Sequence, residues 1–299
     1  MTNSGGFLLI NKDASLSSHA VLKPVKKCFA TKVGHTGTLD PMATGMLVCA
    51  VGEARKFIQF AQAKANKCYQ ATIQLGLSTN TSDITGEIVD QKPVPNITLD
   101  TIEHAIKQQF IGRIEQTPPI YSALKYQGKP YYYYARRNES IPIQPRAVTI
   151  FSIESLRYHA DSAQIHLRTV VSAGTYIRAL AVDLAAALGT IGCLSQLHRV
   201  YAEPWQSQPM YTLDALGAHP NPEALLLPIE AALSHYNRIT LDDVSLAKLR
   251  HGQAISAQKH IDSPQTDTRY LAFDSSAQFV GLVEYQRGSI KALRMRLID

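Results

Sequence analysis

Cysteine is scarce and scattered. The four in the chain, Cys28, Cys49, Cys68 and Cys193, show no CxxC spacing and sit in apolar or mixed contexts. They read as reduced packing residues and supply neither a zinc site nor a disulfide frame. No apolar run approaches the roughly 20 residues that a membrane helix needs, so a helical span is excluded. The opening stretch, MTNSGGFLLINKD, lacks a basic region followed by a long apolar segment and a small-residue cleavage site. Secretion is therefore not signalled, and the cytoplasm is the expected location. Nucleotide motifs are missing too: there is no GxxxxGK phosphate loop and no GxGxxG after a strand, which argues against dependence on a nucleotide. His35, His104, His159, His166 and His198 stand singly, without ligand spacing, and read as core or surface residues.

What is present is a chain of 299 residues, 45% hydrophobic and 18% charged. That describes a soluble globular protein with room for a large domain and a small one. Thirty Lys and Arg against 24 Asp and Glu leave a net charge of +6 and a pI near 9.0, a balance that suits a polyanionic partner. The excess is local. Between Arg113 and Arg146 lie Lys125, Lys129, Arg136 and Arg137, so that six basic residues face only Glu115 and Glu139.

Hydrophobic spacing predicts the elements. Val21, Leu22, Val25 and Phe29 make residues 18–29 an amphipathic helix with lysines on its outer face. Met46–Val51 is a short apolar run bounded by Gly52, as expected of a strand buried on both faces, and Phe57, Ile58 and Ala61 point inward from a helix over 53–63. Tyr69–Leu77 alternates strictly and predicts a strand; residues 78–86 read as a loop, and 101–110 as a helix. Gln164–Ser172 alternates again, then "SAGTYIRALAVDLAAALG" changes to helical period, with Thr175 as its expected cap and Gly189 as its stop. From about Asn237 short strands (270–273, 279–285, 292–297) follow one short helix, the texture of a separate small β-rich unit. The irregular interleaving predicts an α+β protein.

One loop stands out. "GHTGTLDPMATGML", residues 34–47, places Asp40 before Pro41, which pushes it out of helical geometry, with Gly34, Gly37 and Gly45 allowing close approach of other chain segments. A loop Asp before Pro is also an ordinary turn initiator. A nucleophilic carboxylate in a pocket needs a nearby cation to stay ionised. Arg178, in the first turn of a helix after Gly174, can supply it, or can serve as a phosphate clamp or surface ion pair. Tyr69 can stack on a base or fill the core. The segment "TPPIYSALKYQGKPYYYYARRN" mixes six tyrosines with cations, which suits unstacked bases and phosphates or, alternatively, a buried tyrosine strand at a sheet edge.

Together, "GHTGTLDPMATGML", "GEARKF", "YSALKYQGKPYYYYAR" and "GTYIRALAVDL" resemble the TruB-type tRNA pseudouridine synthases, in order and with nearly the same spacing from Gly6 to Trp205. The resemblance implies a pseudouridine synthase fold with a mixed, largely antiparallel sheet over residues 1–235, an RNA-clasping insertion at about 113–146, and a PUA-like RNA-binding domain over 236–299. It implies conversion of uridine-55 in the TΨC loop of tRNA to pseudouridine. Asp40 matches the catalytic aspartate, Arg178 its paired arginine, and Tyr69 the tyrosine that stacks on the target base. His35, Tyr176 and Leu197 match substrate contacts, with His35 filling space left by the extruded nucleotide. Tyr69 is also carried as a candidate for moving a proton, although a phenol of pKa about 10 is a poor base unless strongly perturbed. Three positions depart from the family pattern: "KDASLSS" lacks its usual Pro and Gly, Asn80 replaces a frequent Asp, and His198 a frequent Arg.

The implied reaction is an isomerisation without gain or loss of atoms, so it calls for no cofactor and no metal. The implied partner is tRNA, with no membrane and no obligate protein partner, and a monomer suffices. A non-catalytic RNA chaperone using the same basic and aromatic surface is the alternative. A hydrolase with an aspartyl intermediate ranks last, since no DxD pattern accompanies Asp40.

Overall fold

The alternating segment at residue 69 becomes the middle of a sheet, and the elements before it build that sheet's edge. In the computed structural model, which describes residues 5–63, 65–261 and 268–296, the chain opens with β1 (Gly6–Lys12), α1 (Ser18–Phe29), β2 (Val33–Thr36) and β3 (Thr44–Val51). The Ser17 hydroxyl caps α1 by accepting from the Ala20 amide. Val21 and Val25 are fully buried while Lys23, Lys26 and Lys27 stay exposed, as the apolar stripe predicts. The helix expected over 53–63 divides into a 3₁₀ segment, Gly52–Phe57, and α2 (Ile58–Gln62). The tighter winding rotates the face, so Phe60 is buried with Phe57 and Ala61, and Ile58 packs half-buried against the same cluster.

The next strand, β4 (Lys67–Leu75), stops before Leu77 because Gly76 turns the chain at φ +80°. Leu77 instead starts β5 (Leu77–Thr79), which pairs with β6 (Ile88–Gln91), so residues 78 and 79 leave the expected loop. Then come α3 (Leu99–Gln109), β7 (Gly112–Gln116), the two-residue strands β8 (Lys125–Tyr126) and β9 (Lys129–Pro130), and α4 (Tyr131–Ala135). The four tyrosines thus lie on a short helix entered through Pro130, with Tyr131 and Tyr134 buried at i,i+3 spacing and Tyr132 exposed. This overturns the tyrosine strand.

β10 (Arg146–His159), β11 (Gln164–Val171), α5 (Ile177–Ala187) and β12 (Gly192–Ala202) complete the large sheet, ordered β1-β3-β12-β4-β11-β10-β7 with β2 added beside β3. Its pairings are antiparallel except where β12 meets β3 in parallel at His198–Thr44 and Arg199–Gly45. One face packs Leu8, Leu47 and Ile73 under α1, α3 and α5; the other packs Phe7, Leu9 and Met46 against Phe57, Trp205 and Phe279. Thr175 does not cap α5. The residue before that helix is Tyr176, whose backbone N–H donates to Gln116 Oε1 at 2.8 Å while Gln116 Nε2 donates to its carbonyl at 3.0 Å. Gly189 does end the helix: at φ +78° its N–H reaches Ala186 O, and that of Thr190 reaches Ala185 O.

After α6 (Leu213–Ala218) come β13 (Asn237–Thr240), α7 (Asp243–Arg250), β14 (Ile255–Ser256), β15 (Arg269–Phe273), β16 (Phe279–Gln286) and β17 (Ser289–Met295), forming a second sheet ordered β13-β15-β16-β17-β14. It has a core of its own around Ile239, Leu249, Val280 and Ile290. Leu297, the expected end of the last strand, lies outside the described residues. The whole is an α+β fold with a mixed, largely antiparallel sheet and a smaller β-rich unit. Among the described residues no helix is long and apolar enough to cross a membrane.

Candidate active site

The Asp40 loop is held from both sides. Ser18, buried at the start of α1, donates its hydroxyl to Leu39 O and accepts from Leu39 N–H, both at 2.8 Å. The buried Lys12 ammonium donates to the carbonyls of Asp13 (2.9 Å), Leu16 (2.7 Å) and Pro41 (3.1 Å). With the residues before and after it fixed, Asp40 has little freedom except to present its carboxylate. Gly45 must lack a side chain because β3 crosses β12 there: a Cβ would stand 2.3 Å from Arg199 O, at a φ of +93°.

Arg178 enters from the first turn of α5 and is 4% exposed. Its Nε lies 2.9 Å from Asp40 Oδ2, and its Nη2 donates to Oδ1 at 3.1 Å, a side-on pairing that fixes both groups. Nη1 donates to Thr81 O and Nη2 to Tyr121 O, both at 2.8 Å. The guanidinium therefore ties the aspartate loop to the β5 turn and to the root of the tyrosine-rich insertion. A second acid, Asp83, sits 3.9 Å from Nη1 and is itself held by Thr81 Oγ1, Thr85 N–H and Thr85 Oγ1. Burial pushes the Asp40 carboxyl up from the usual carboxylate range; Arg178 pulls it back, Asp83 adds to the rise, and Lys12 opposes it.

A cavity of about 310 Å³ opens in front of this pair, lined by Asp40, Lys67, Tyr69, Tyr176, Arg178 and Leu197 among others. Its size falls at the lower end of small-ligand sites, about 300–1,000 Å³. Tyr69 points inward from β4, its hydroxyl 3.4 Å from Nη1 of the fully buried Arg199. Leu197 comes from β12. Burial raises the Tyr176 phenol, and the charges of Arg178 and Arg146 work against that rise.

Five of the six site residues expected from the sequence thus share one cavity. His35 does not line it. It stands on β2 opposite Cys49, two residues before Gly37, with Nδ1 buried and unpartnered; burial, Arg199 and His19 hold its pKa down, so the imidazole is neutral near pH 7. Lys67, Asp83 and Arg199 are the residues that sequence reasoning missed. Asp83 looks there like one more turn former in STNTSDITG, and its only signal is the pair of threonines that flank it two residues away on each side.

The insertion brings cations onto aromatic faces. Lys129 and Arg137 lie 4.4 and 5.0 Å from the Tyr133 ring centre, and Arg136 lies 5.3 Å from that of Tyr132. Histidines that stand singly in the sequence also converge: the rings of His159 and His166 meet edge to face at 5.0 Å and share with His198 a groove of about 730 Å³. Among the described residues no group of three or more His, Cys, Asp or Glu side chains is placed to hold a metal.

Residues 26–177 match the family described as TruB family pseudouridylate synthase (N terminal domain), and residues 238–295 match the C-terminal domain of pseudouridine synthase II TruB. The tRNA pseudouridine synthase B of Xanthomonas axonopodis pv. citri is 42% identical over 284 residues, covering 93% of this chain and 90% of the relative. That of Neisseria gonorrhoeae is 37% identical over 297 residues, covering 98% and 94%. Among solved structures, a chain in a Cbf5-Nop10-Gar1 complex superposes with a TM-score of 0.73 at 23% identity, over 98% of this chain and 84% of that one. This last likeness is one of fold.

Proposed function

The chain belongs to the TruB family of pseudouridylate synthases and is an isomerase, and on that premise we propose that it converts uridine-55 in the TΨC loop of tRNA to pseudouridine, with Asp40 as nucleophile. The observation that carries the reading is the Asp40–Arg178 pair, 2.9 Å apart at the back of a cavity with an aromatic wall.

In the reaction the C1′–N1 bond breaks, a C1′–C5 bond forms on the same base, C5 loses a proton and N1 gains one. A carboxylate starts this by attacking C1′ or C6, or by drawing a proton to form a glycal. Arg178 keeps Asp40 ionised against the cost of burial and aims it, since two of its contacts are made to backbone carbonyls that do not move with the substrate. The uridine must leave its stack, which costs a few kcal/mol. Tyr69 offers a replacement surface, Tyr176 and Leu197 close the walls, and His35, neutral and two residues before Gly37 of the cavity wall, fills space that the base has left. The exposed lysines of α1, the cation and tyrosine face of the insertion (about 113–146) and the PUA-like unit (236–299) hold the RNA through its shape and phosphates. A monomer contains every part.

The test is tritium release from a TΨC stem-loop carrying 5-tritiated uridine. Wild type releases tritium and Asp40→Asn does not, while replacement of the target uridine alone abolishes release. Normal turnover by Asp40→Asn would remove the role given to that residue.

A further inference from the structure

Two cations stand together beside Gly37 with no carboxylate paired to either, Lys67 in the cavity wall and Arg199 behind it. Arg199 is 1% exposed, and its guanidinium meets only neutral oxygens: Met46 O at 2.6 Å, Gly37 O at 2.8 Å and the Tyr69 hydroxyl at 3.4 Å. Lys67 begins β4, two residues before Tyr69. Its ammonium lies against Gly37 of the aspartate loop, where an added Cβ would stand 3.4 Å from both Lys67 Nζ and Arg199 Nη1. Among the described residues the Lys67 side chain has no ion pair and no hydrogen bond. Burial and then Arg199 hold its pKa at about 8. Ordinary packing does not favour a lysine in such a place, because an unpaired, half-buried ammonium beside a second cation opposes folding.

We propose that Lys67, with Arg199 behind it, is a phosphate subsite: it takes a non-bridging oxygen of the phosphodiester next to the extruded uridine. This rests on the cavity being the uridine site. The uracil and ribose are neutral, so within that substrate the only anions are the phosphodiesters. Asp40 already has its cation in Arg178, which leaves the Lys67 and Arg199 pair free for a second anion on the side of the cavity bounded by Gly37. The absence of a side chain at Gly37 keeps the approach open. The contact is made to the backbone, away from the atoms that react, so the lysine anchors the substrate and takes no part in bond breaking.

The experiment changes each partner in turn. Dissociation constants are measured with stem-loops in the Asp40→Asn background, where nothing turns over, and single-turnover rates with otherwise wild-type protein. Lys67→Gln is expected to weaken binding about tenfold, as loss of a charge-assisted hydrogen bond does. It should flatten the dependence of log K on log salt by about 0.7 for single-stranded RNA and spare the rate at saturating protein; Lys67→Arg should recover most of the affinity. A neutral methylphosphonate on one side of the target uridine is expected to cost wild type a similar factor and to cost Lys67→Gln nothing further. The RNA-side change leaves the protein's folding untouched. Full methylphosphonate sensitivity in Lys67→Gln, on both sides of the uridine, would overturn the subsite, as would a loss confined to the saturated rate, which would make Lys67 a proton carrier. Failure of wild type to release tritium from unmodified RNA would instead sink the reading of the cavity itself.

Discussion

A lysine kept in the cavity for a ligand should weaken the protein when the ligand is absent, and Lys67→Met measures by how much. The fall of the Lys67 pKa from 10.5 to about 8 corresponds to roughly 3 kcal/mol at about 1.36 kcal/mol per pKa unit, an upper bound on the cost of the buried charge. Water reaching the open cleft reduces it, so a gain of about 1–2 kcal/mol is expected from methionine at pH 7, or a melting temperature higher by roughly 2–6 °C. The sign follows from linkage. Below pH 8 folded and unfolded chains both hold the proton and the cost is fully present. Between pH 8 and 10.5 the folded chain gives up the proton first, so wild-type stability contributed by this group rises; above 10.5 the lysine is neutral in both states and the cost is gone. The advantage of Lys67→Met is therefore largest near neutrality and shrinks towards pH 10.5. Lys12, whose pKa burial also brings to about 8, titrates in both proteins and cancels in the difference. Urea unfolding of the two RNA-free proteins at pH 7 and pH 10 is the assay. A methionine protein no more stable than wild type at pH 7, or equally favoured at both pH values, would refute the reasoning.

Two further outcomes follow from the same geometry. Asp83→Asn removes a like charge that raises the Asp40 carboxyl, so the acid limb of the single-turnover rate should move to lower pH; a limb that stays or moves up would show that the two acids are not coupled through Arg178. Gly45→Ala places a methyl 2.3 Å from a backbone oxygen at a φ of +93°, with no flexible side chain to give way. A loss of more than about 3 kcal/mol is expected in urea unfolding, together with loss of tritium release, because the parallel junction that carries the Asp40 loop is broken.

Much of this fold is written in periodicity. The stripe of Val21 and Val25 and the alternation from Tyr69 to Leu75 each report a face packed by neighbours that any reading of the spacing recovers. The sequence misleads where the deciding contact is remote. Thr175 has the composition of a cap, yet a glutamine from β7, some 60 residues earlier, meets the backbone of Tyr176 instead. The four tyrosines favour a strand by propensity, but Pro130 and the burial of every third ring make a helical turn. The site divides in the same way. Asp40 is legible because proline and glycine chemistry surrounds it, and Arg178 because a helix starts beside it. Arg199 occupies a strand position where a charge normally reads as solvent-facing, and it is buried only because the aspartate loop folds over it. Lys67 looks like the polar end of a strand.

Charge explains why these hidden residues belong together. Around the aspartate stand Arg178, Lys12, Lys67 and Arg199 against Asp40 and Asp83, an excess of two positive charges in and behind the cleft. A free nucleoside brings no charge to balance that excess, whereas a strand of RNA brings one phosphate per nucleotide. Binding energy taken from the backbone, away from the atoms that react, is then available to hold the base unstacked beside Asp40. On this account the site selects a uridine by the chain it belongs to before it handles the base. On the same account, cations that take no part in the chemistry are what draws a neutral pyrimidine next to a buried carboxylate.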